Sequence, residues 1–251
     1  MRVPSSFLPA ILMVSLASRT VLGQDAAVID PHGDRAVFSP TALTQPAGSF
    51  AISDYEVGFP GVVFAPADGI QLSVNGTVIP AEEMVVPVLA SAKIRILNGA
   101  RVKVAVLAAA LLLRKLYTFE RTIVGGVAGS VCLDESCESV LSLHAEIGSH
   151  AVTGSGDDGG GVAYAPVYSG ASAILPVVPH VKLLAEGNLT ARVACQAHCD
   201  NGLGDLILSA GLRFHGEALA VDLAISAVRS LEAGSARYEW LPFLAATYRF
   251  R

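Results

Sequence analysis

The chain ends in Trp240-Leu-Pro-Phe-Leu-Ala-Ala-Thr-Tyr-Arg-Phe250-Arg251, a stretch in which apolar and polar side chains alternate. Successive side chains of a β-strand point to opposite faces. One face of this segment therefore carries the apolar and aromatic residues Trp240, Leu244, Ala246, Tyr248 and Phe250. The other face carries Thr247, Arg249 and Arg251. An apolar face with aromatic ends, opposite a wetter face, is typical of a strand in a membrane-spanning barrel.

The composition favours the same class. The chain has 251 residues, of which 52% are hydrophobic and only 16% charged, and its mean hydropathy is +0.54. The longest internal apolar run, residues 104–113, is about half of the ~20 residues that a membrane helix needs, whereas a barrel strand needs only ~9–11. Backbone groups in hydrocarbon must be paired, which only helices and closed barrels achieve. A net charge of -5 argues against nucleic acid as a partner.

Alternation with a period of two recurs in residues 70–78, 141–148, 205–215 and 219–226. In the last two segments we expect Leu208, Leu212, Val221 and Leu223 to face lipid and the residues between them to face the lumen. The turn signals are Asp68-Gly69, Asn98-Gly99, Glu186-Gly187-Asn188 and His215-Gly216-Glu217. Short turns alternate with longer connections, as in barrels with short periplasmic turns and long external loops.

The strand count follows from this alternation. If Asp68-Gly69 is a periplasmic turn, residues 50–64 form an inward strand, and an earlier outward strand is required. Residues 35–43 are the candidate, although Pro40 lacks a backbone donor. The predicted fold is therefore all-β, a transmembrane antiparallel up-and-down barrel over residues 35–251. It should have about 12 strands, within a range of about 10–12, with both ends in the periplasm.

The N-terminus has the layout of a secretory signal peptide. A positive residue, Arg2, precedes the apolar run 7–17, and small residues follow at 21–23. We predict a signal peptide over residues 1–23 with cleavage near Gly23, since the apolar run falls short of the ~20 residues of a membrane anchor. Residues 24–34 then form a periplasmic lead-in, and the mature chain is expected in the outer membrane.

Five stretches carry a family resemblance. They are Phe38-Ser-Pro-Thr-Ala, Asp54-Tyr-Glu-Val-Gly-Phe, Phe64-Ala-Pro-Ala-Asp-Gly-Ile-Gln-Leu-Ser, Leu208-Ser-Ala-Gly-Leu-Arg-Phe and Trp240-Leu-Pro-Phe. With the signal peptide and the aromatic last strand, the chain resembles uncharacterised Gram-negative outer-membrane β-barrel proteins. The resemblance implies an assembly signal at Trp240, Tyr248 and Phe250. It implies the lipid bilayer and the barrel assembly machinery as partners, and it brings no known activity.

The four cysteines form two close pairs, Cys132 with Cys137 and Cys195 with Cys199. In an oxidising compartment each pair is most simply a local disulfide. The alternative is a zinc site that uses both pairs, or Cys195 and Cys199 together with His198. The side assignment places the two pairs on opposite sides of the membrane, which disfavours a joint site.

Most charged residues lie opposite the apolar stripe. The expected lumen residues are Lys93, Arg95, Lys103, His144, Glu146, Lys182, Arg192, Arg213, Asp222 and Arg249. They either pair with one another and fill the lumen, or line a narrow channel for a small anionic solute. At about twelve strands the interior lies between filled small barrels and open porins, and filling is favoured.

Ser142, His144 and Glu146 share one strand face and invite comparison with a catalytic relay. Residues two apart on a strand lie ~6.8 Å apart, too far for the ~2.6–3.2 Å contacts of a relay. We therefore expect a mainly structural protein that is not an enzyme and uses no cofactor or metal. A barrel enzyme that acts on envelope lipid remains the less favoured alternative.

Overall fold

The computed structural model describes residues 30–55, 59–79, 85–114, 118–154, 163–196, 201–231 and 238–250. The predicted signal peptide, its cleavage near Gly23 and residues 24–29 lie outside this part of the chain. Within the described ranges, no helix is long and apolar enough to cross a membrane.

The described residues form twelve antiparallel strands in one closed barrel, in which each strand pairs with its neighbours in sequence. The strands are β1 (Phe50–Tyr55), β2 (Phe59–Ala67), β3 (Ile70–Gly76), β4 (Val86–Asn98), β5 (Val102–Arg114), β6 (Thr118–Cys132), β7 (Val140–Gly154), β8 (Ala163–Val178), β9 (Val181–Gln196), β10 (Gly202–His215), β11 (Leu219–Ser230) and β12 (Glu239–Phe250). The predicted fold class and strand number are confirmed.

The aromatic last strand closes the barrel. β12 pairs with β11 on one side and with β1 on the other. Phe250 lies opposite Phe50, and the centroids of the two rings are 5.7 Å apart. Closure leaves no strand edge exposed among the described strands, which is the property that a sheet needs in hydrocarbon.

The two ends of the barrel differ in their connections. We call the end that holds the first residue of β1 and the last of β12 the turn side; its connections are residues 68–69, 99–101, 133–139, 179–180 and 216–218. The opposite end is the loop side, with connections 56–58, 77–85, 115–117, 155–162, 197–201 and 231–238. Most of the longer connections therefore lie on one side, as the sequence predicted.

Burial alternates along the strands. Arg213 and Asp222 are fully buried, whereas their neighbours Leu212 and Leu223 are 40% and 49% exposed. Leu208 is also exposed. Since the barrel is closed, the buried face is the lumen and the exposed apolar face is the outer wall.

Two strand predictions are wrong. Residues 35–43 do not join the sheet, and the predicted strand 50–64 is instead two strands, β1 and β2. Asp54 helps to divide them, because its Oδ1 accepts a hydrogen bond from the backbone N–H of Phe59 at 3.1 Å. The count of twelve is thus reached with a different first strand. The predicted turn at Glu186-Gly187-Asn188 is also wrong, since these residues lie within β9.

Candidate functional site

Residues 30–45, which we call the plug, lie inside the barrel. Their partners come from most of the wall, from Gln71 on β3 to Ser130 on β6, Arg213 on β10 and Arg249 on β12. A segment that touches strands all around a closed barrel must occupy its lumen. The wall residues that hold the plug lie mostly in the turn-side half of their strands, so the plug fills that half.

The plug folds back on itself through a short bridge. The Thr41 N–H donates to the Asp34 carbonyl at 3.0 Å, and the Ala36 N–H donates to the Ser39 carbonyl at 2.9 Å. This local ladder satisfies backbone groups that a strand would have offered to the barrel wall. Residues 35–43, which include Pro40, therefore have the sequence pattern of a strand but do not join the barrel sheet.

The tip of this fold is an anion cradle. The backbone N–H groups of Val37, Phe38 and Ser39 all point to the carboxylate of Glu186 on β9, at 2.9–3.1 Å. Successive N–H groups that converge on one carboxylate form a strong, charge-assisted site. Asn188 adds a bond, since its Oδ1 accepts from the Ser39 hydroxyl at 2.8 Å.

Arg213 is the centre of the plug's second anchor. Its Nε and Nη2 donate to Asp222 at 2.7 and 2.8 Å, and its Nη1 donates to Asp30 at 3.1 Å. The same guanidinium donates to the backbone carbonyls of His32, Arg35 and Ala36. This buried cation therefore has its donors matched, which is the condition under which a buried charge is tolerated.

Three further groups complete this cluster. Lys182 Nζ lies 3.1 Å from the Asp30 carboxylate. His32 Nδ1 lies 2.9 Å from Asp222 Oδ2, within ion-pair distance. Burial raises the pKa of Asp30, but the charges of Arg213 and Lys182 outweigh it and hold that pKa well below its usual range.

A third anchor forms around Asp34. Its carboxylate accepts from Gln71 Nε2 at 2.6 Å, and Lys93 Nζ donates to the backbone carbonyls of Asp34 and Leu43 at 2.8 and 3.1 Å. Burial raises the pKa of Asp34, yet the neighbouring cations Arg35 and Lys93 reverse the effect and lower it well below its usual value.

The turn-side mouth retains a cavity of about 250 Å³ beside the plug. Arg95, Lys103 and Lys182 line it together with Asp30 and Glu138. Lys103 donates to Asn98 and Gly99 in the adjacent turn. Arg249 donates to the Glu217 carbonyl at 2.6 Å, which ties β12 to the turn after β10.

The Cys132–Cys137 disulfide is present in the turn after β6, and this prediction is confirmed. The residues between 196 and 201, including Cys199, lie outside the described part of the chain, and so does the side chain of Cys195. Within the described residues, no cluster of His, Cys, Asp and Glu is arranged to hold a metal ion.

Near the middle of the barrel, glycines open notches in the lumen wall. His144 lies opposite Gly170 and Glu146 opposite Gly126. A Cβ at Gly170 would lie 2.6 Å from His144 Cε1, and a Cβ at Gly126 would lie 2.6 Å from Glu146 Cγ. The two side chains therefore lie flat across neighbouring strands. His144 Nδ1 is buried without a hydrogen-bond partner among the described residues.

Ser142 does not join these two residues in a relay. Its hydroxyl pairs with that of Ser130 on β6 at 2.7 Å, whereas His144 lies opposite Gly170 on β8. The Ser142, His144 and Glu146 constellation is thus divided between a structural serine pair and two lumen side chains.

An aromatic and cationic cluster lies nearer to the loop-side mouth. The Thr122 hydroxyl and His150 Nδ1 are 2.8 Å apart, and the His150 ring lies 4.5 Å from the Tyr164 ring. The Arg192 guanidinium lies 5.9 Å from the same ring. A cavity of about 330 Å³ adjoins this cluster between β8, β9 and β10.

The ten lumen residues named from sequence thus divide into two sets. Lys93, Arg95, Lys103, Lys182, Arg213, Asp222 and Arg249 lie around the plug or at the turn-side mouth. The other three lie further from the turn side, His144 and Glu146 near the middle of β7 and Arg192 in the loop-side half of β9. Sequence reasoning missed the plug residues Asp30, His32 and Asp34 and their partner Glu186. Asp30, His32 and Asp34 occupy every second position, and this alternation was the signal in the sequence that could have identified them.

No family model and no curated protein matches the chain. Among solved structures it is similar to LpxR from Salmonella typhimurium, with a TM-score of 0.42 and 9% identity over 80% of this chain and 99% of that one. LpxR is an outer-membrane lipid A deacylase. The expectation that this chain is not an enzyme is contradicted by that finding, because the matched barrel is an enzyme, and it is withdrawn. At this level the likeness assigns neither an activity nor catalytic residues here.

Proposed function

We propose that this chain is an outer-membrane barrel protein whose lumen is sealed on the periplasmic side by its own plug and open as a vestibule towards the cell exterior. The observation that carries the proposal is the plug itself. Its three anchors, at Glu186, Arg213 and Lys93, use the lumen's charges to hold a segment of the same chain.

The membrane location is supported by the outer wall. Large apolar side chains such as Leu143 and Ile147 are 67% and 58% exposed. Leaving many such side chains in water would be unfavourable, and a lipid environment removes the cost. The aromatic residues Trp240, Tyr248 and Phe250 also face outward on β12. Short turns on one side and longer loops on the other support an orientation with the turn side in the periplasm.

The resemblance to outer-membrane barrels supports the same reading and adds two partners, the lipid bilayer and the barrel assembly machinery. In that setting residues 1–23 are the signal peptide, removed near Gly23. The C-terminal aromatic strand is the segment that the assembly machinery would recognise.

The channel alternative has less support. An anion pathway needs cations that are exposed along the lumen. Arg213 and Lys182 are instead buried against Asp30 and Asp222, and Lys93 is buried against the plug backbone. A solute would therefore have to displace the plug before these charges could meet it.

The test combines membrane fractionation with conductance in planar bilayers. The mature protein should fractionate with outer membranes, migrate anomalously on gels unless heated, and conduct no steady current. Glu186→Ala removes the acceptor of three plug N–H groups and should introduce brief openings. Glu120→Ala, which removes a carboxylate near the loop-side end of β6, is the matched control and should stay closed. Steady conductance of the unaltered protein would refute the sealed lumen.

A further inference from the structure

The loop-side cavity between β8, β9 and β10 is built from polar and aromatic side chains that the plug does not use. Its volume of about 330 Å³ falls within the range of small-molecule sites, which begins at ~300 Å³. The polar and aromatic side chains that line the cavity are those of Tyr164, Tyr168, Thr190, Arg192 and Asp205.

The backbone is irregular around this cavity. The β8–β9 pairing shifts register between Ala163 and Ala165, and the β9–β10 pairing shifts between Leu203 and Leu206. Among the described residues these are the register shifts on the loop side. Ala194, which lies within β9, has a φ of 52°, in the left-handed region that alanine rarely adopts. Bulges and local strain concentrate where side chains are re-aimed for function.

The shift in β10 determines what faces the cavity. Leu203 pairs with Ala191 and is 53% exposed on the outer wall, whereas Asp205 lines the cavity. The Asp205 N–H donates to the Thr190 hydroxyl at 2.7 Å. A Cβ at Gly204 would lie 2.4 Å from that hydroxyl, so glycine is required for this close approach.

Arg192 is oriented from the other side. Its guanidinium lies over the Tyr164 ring, and that ring contacts His150, which in turn contacts Thr122. Contact with an aromatic ring restricts the long side chain and keeps its planar set of donors in one orientation. The cavity therefore combines an ordered donor, a carboxylate acceptor and hydroxyls that do both.

We propose that this cavity binds a saccharide presented from the loop side. A sugar offers adjacent hydroxyl groups that both donate and accept, and the set of Arg192, Asp205 and Thr190 matches both roles. The Tyr168 ring provides an apolar surface for the face of a sugar ring. The Asp205 carboxylate balances the charge of Arg192, which disfavours a simple anion. That the ligand comes from the cell exterior rests on the proposed function; the binding chemistry does not.

The experiment measures binding to the full mature protein in a detergent without sugar groups, by calorimetry and saturation-transfer NMR. The soluble probes are maltohexaose, chitohexaose and the oligosaccharide released from lipopolysaccharide. Phosphatidylcholine vesicles with and without lipopolysaccharide form the membrane arm. We expect binding in at least one arm, and the arm that responds identifies a soluble glycan or a glycolipid headgroup as the source.

Variants locate the binding. Asp205→Asn and Tyr168→Ala should each weaken it about tenfold or more, the effect of one lost charged hydrogen bond or ring contact. Tyr168→Phe should retain most of it, because the ring surface remains. Asp68→Asn, at a turn-side turn, is the control for the loss of an exposed carboxylate. Heat-modifiable migration checks that each variant is folded.

Absence of binding to every probe at millimolar concentration would overturn the proposal, as would binding that Asp205→Asn and Tyr168→Ala leave unchanged. Membrane fractionation is separate from this result. A protein that binds saccharide but fails to fractionate with outer membranes would refute the proposed function and leave the site intact.

Discussion

The two halves of the lumen are built on the same strands but differ in what their polar side chains do. In the turn-side half, Arg213, Asp222 and Lys182 are at most 3% exposed and paired with each other or with the plug. In the loop-side half, Tyr164, Tyr168 and Arg192 are only partly buried, and the guanidinium of Arg192 lies over the Tyr164 ring. Alternation along a strand thus identifies the residues that face the lumen. Contact with the plug determines which of these residues have a structural role.

The difference is clearest along β9. Near its turn-side end Lys182 pairs with Asp30, and further along Glu186 binds the plug tip. Beyond the plug, Arg192 lies against an aromatic ring and a cavity. A single strand therefore passes from a packed ionic core to a concave polar wall. Changes at its two ends should affect different properties.

The largest expected effect is on stability when the central buried cation is removed. Arg213→Met leaves Asp222 and Asp30 buried without their main partner, which should cost about 3–5 kcal/mol. Arg192→Met is the matched control in the other half and should cost about 0–1 kcal/mol, because that cation is partly solvated. Unfolding in urea, followed by heat-modifiable gel migration, measures both. Equal losses would show that the two halves do not differ as described.

The second effect compares the lumen with the outer wall at adjacent positions. A lipid-facing position at Leu223 would by itself make Leu223→Arg more damaging to assembly than Asp222→Ala. The structure reverses that order, because Asp222 is the bidentate partner of a fully buried arginine. Removing it should cost about 3–5 kcal/mol, against about 2–4 kcal/mol for an arginine at a lipid-facing midplane site.

The measurement is the yield of heat-modifiable protein and its urea midpoint, with Leu223→Ala as the control for lost side-chain volume. If Leu223→Arg proved the more damaging variant, the ion pair of Asp222 would contribute less than its burial indicates.

The outer wall could be predicted from sequence because the alternation between outer wall and lumen imposes one rule on every strand. Alternation with apolar residues outward, turn dipeptides and the aromatic C-terminal strand all report that rule, and they led to the correct fold class. The plug obeys no such rule. Residues 30–45 are held by a wall that surrounds them, so their burial depends on contacts with residues distant in sequence, such as Glu186.

The wrong strand at residues 35–43 has the same origin. A short extended segment with small and apolar residues resembles a barrel strand, and only Pro40 argued otherwise. The turn signal at Glu186-Gly187-Asn188 failed for a related reason, since its two polar residues both point inward to the plug and the glycine faces outward between them. Polar strand residues that bind a segment inside the lumen thus have the same composition as a turn.

The third effect is a dependence of stability on acidic pH that originates in the plug. The pKa values of Asp30 and Asp34 are lowered in the folded state, so the folded state binds fewer protons than the unfolded chain as the pH falls. Their contribution is fully present above about pH 5 and is lost as the pH falls towards the folded pKa, at about 2–3 kcal/mol for each group.

The contribution of these two carboxylates to the free energy of unfolding should therefore be nearly constant from pH 8 to pH 5 and should decrease below about pH 4. Asp34→Asn should reduce that decrease, because the amide does not titrate. A pH profile of Asp34→Asn that parallels that of the unaltered protein would show that the plug carboxylate does not contribute.

The smallest effect is expected from the disulfide, which lies outside both halves in the turn after β6. Cys132 and Cys137 are only five residues apart, so the bond removes little freedom from the unfolded chain, about 2 kcal/mol at most.

The same turn is also held by Asp134, which accepts hydrogen bonds from the backbone N–H groups of Glu138 and Ser139 at 2.9 and 2.6 Å. Burial raises the pKa of Asp134, but these bonds and those from the Ser139 and Ser136 side chains together outweigh it and lower the pKa to about 2. A double Cys132→Ser and Cys137→Ser variant should thus assemble, keep its plug and remain non-conducting, with a urea midpoint only slightly reduced. Loss of the closed state in that variant would mean that the turn, rather than the ion pairs of Arg213, is what holds the plug in the lumen.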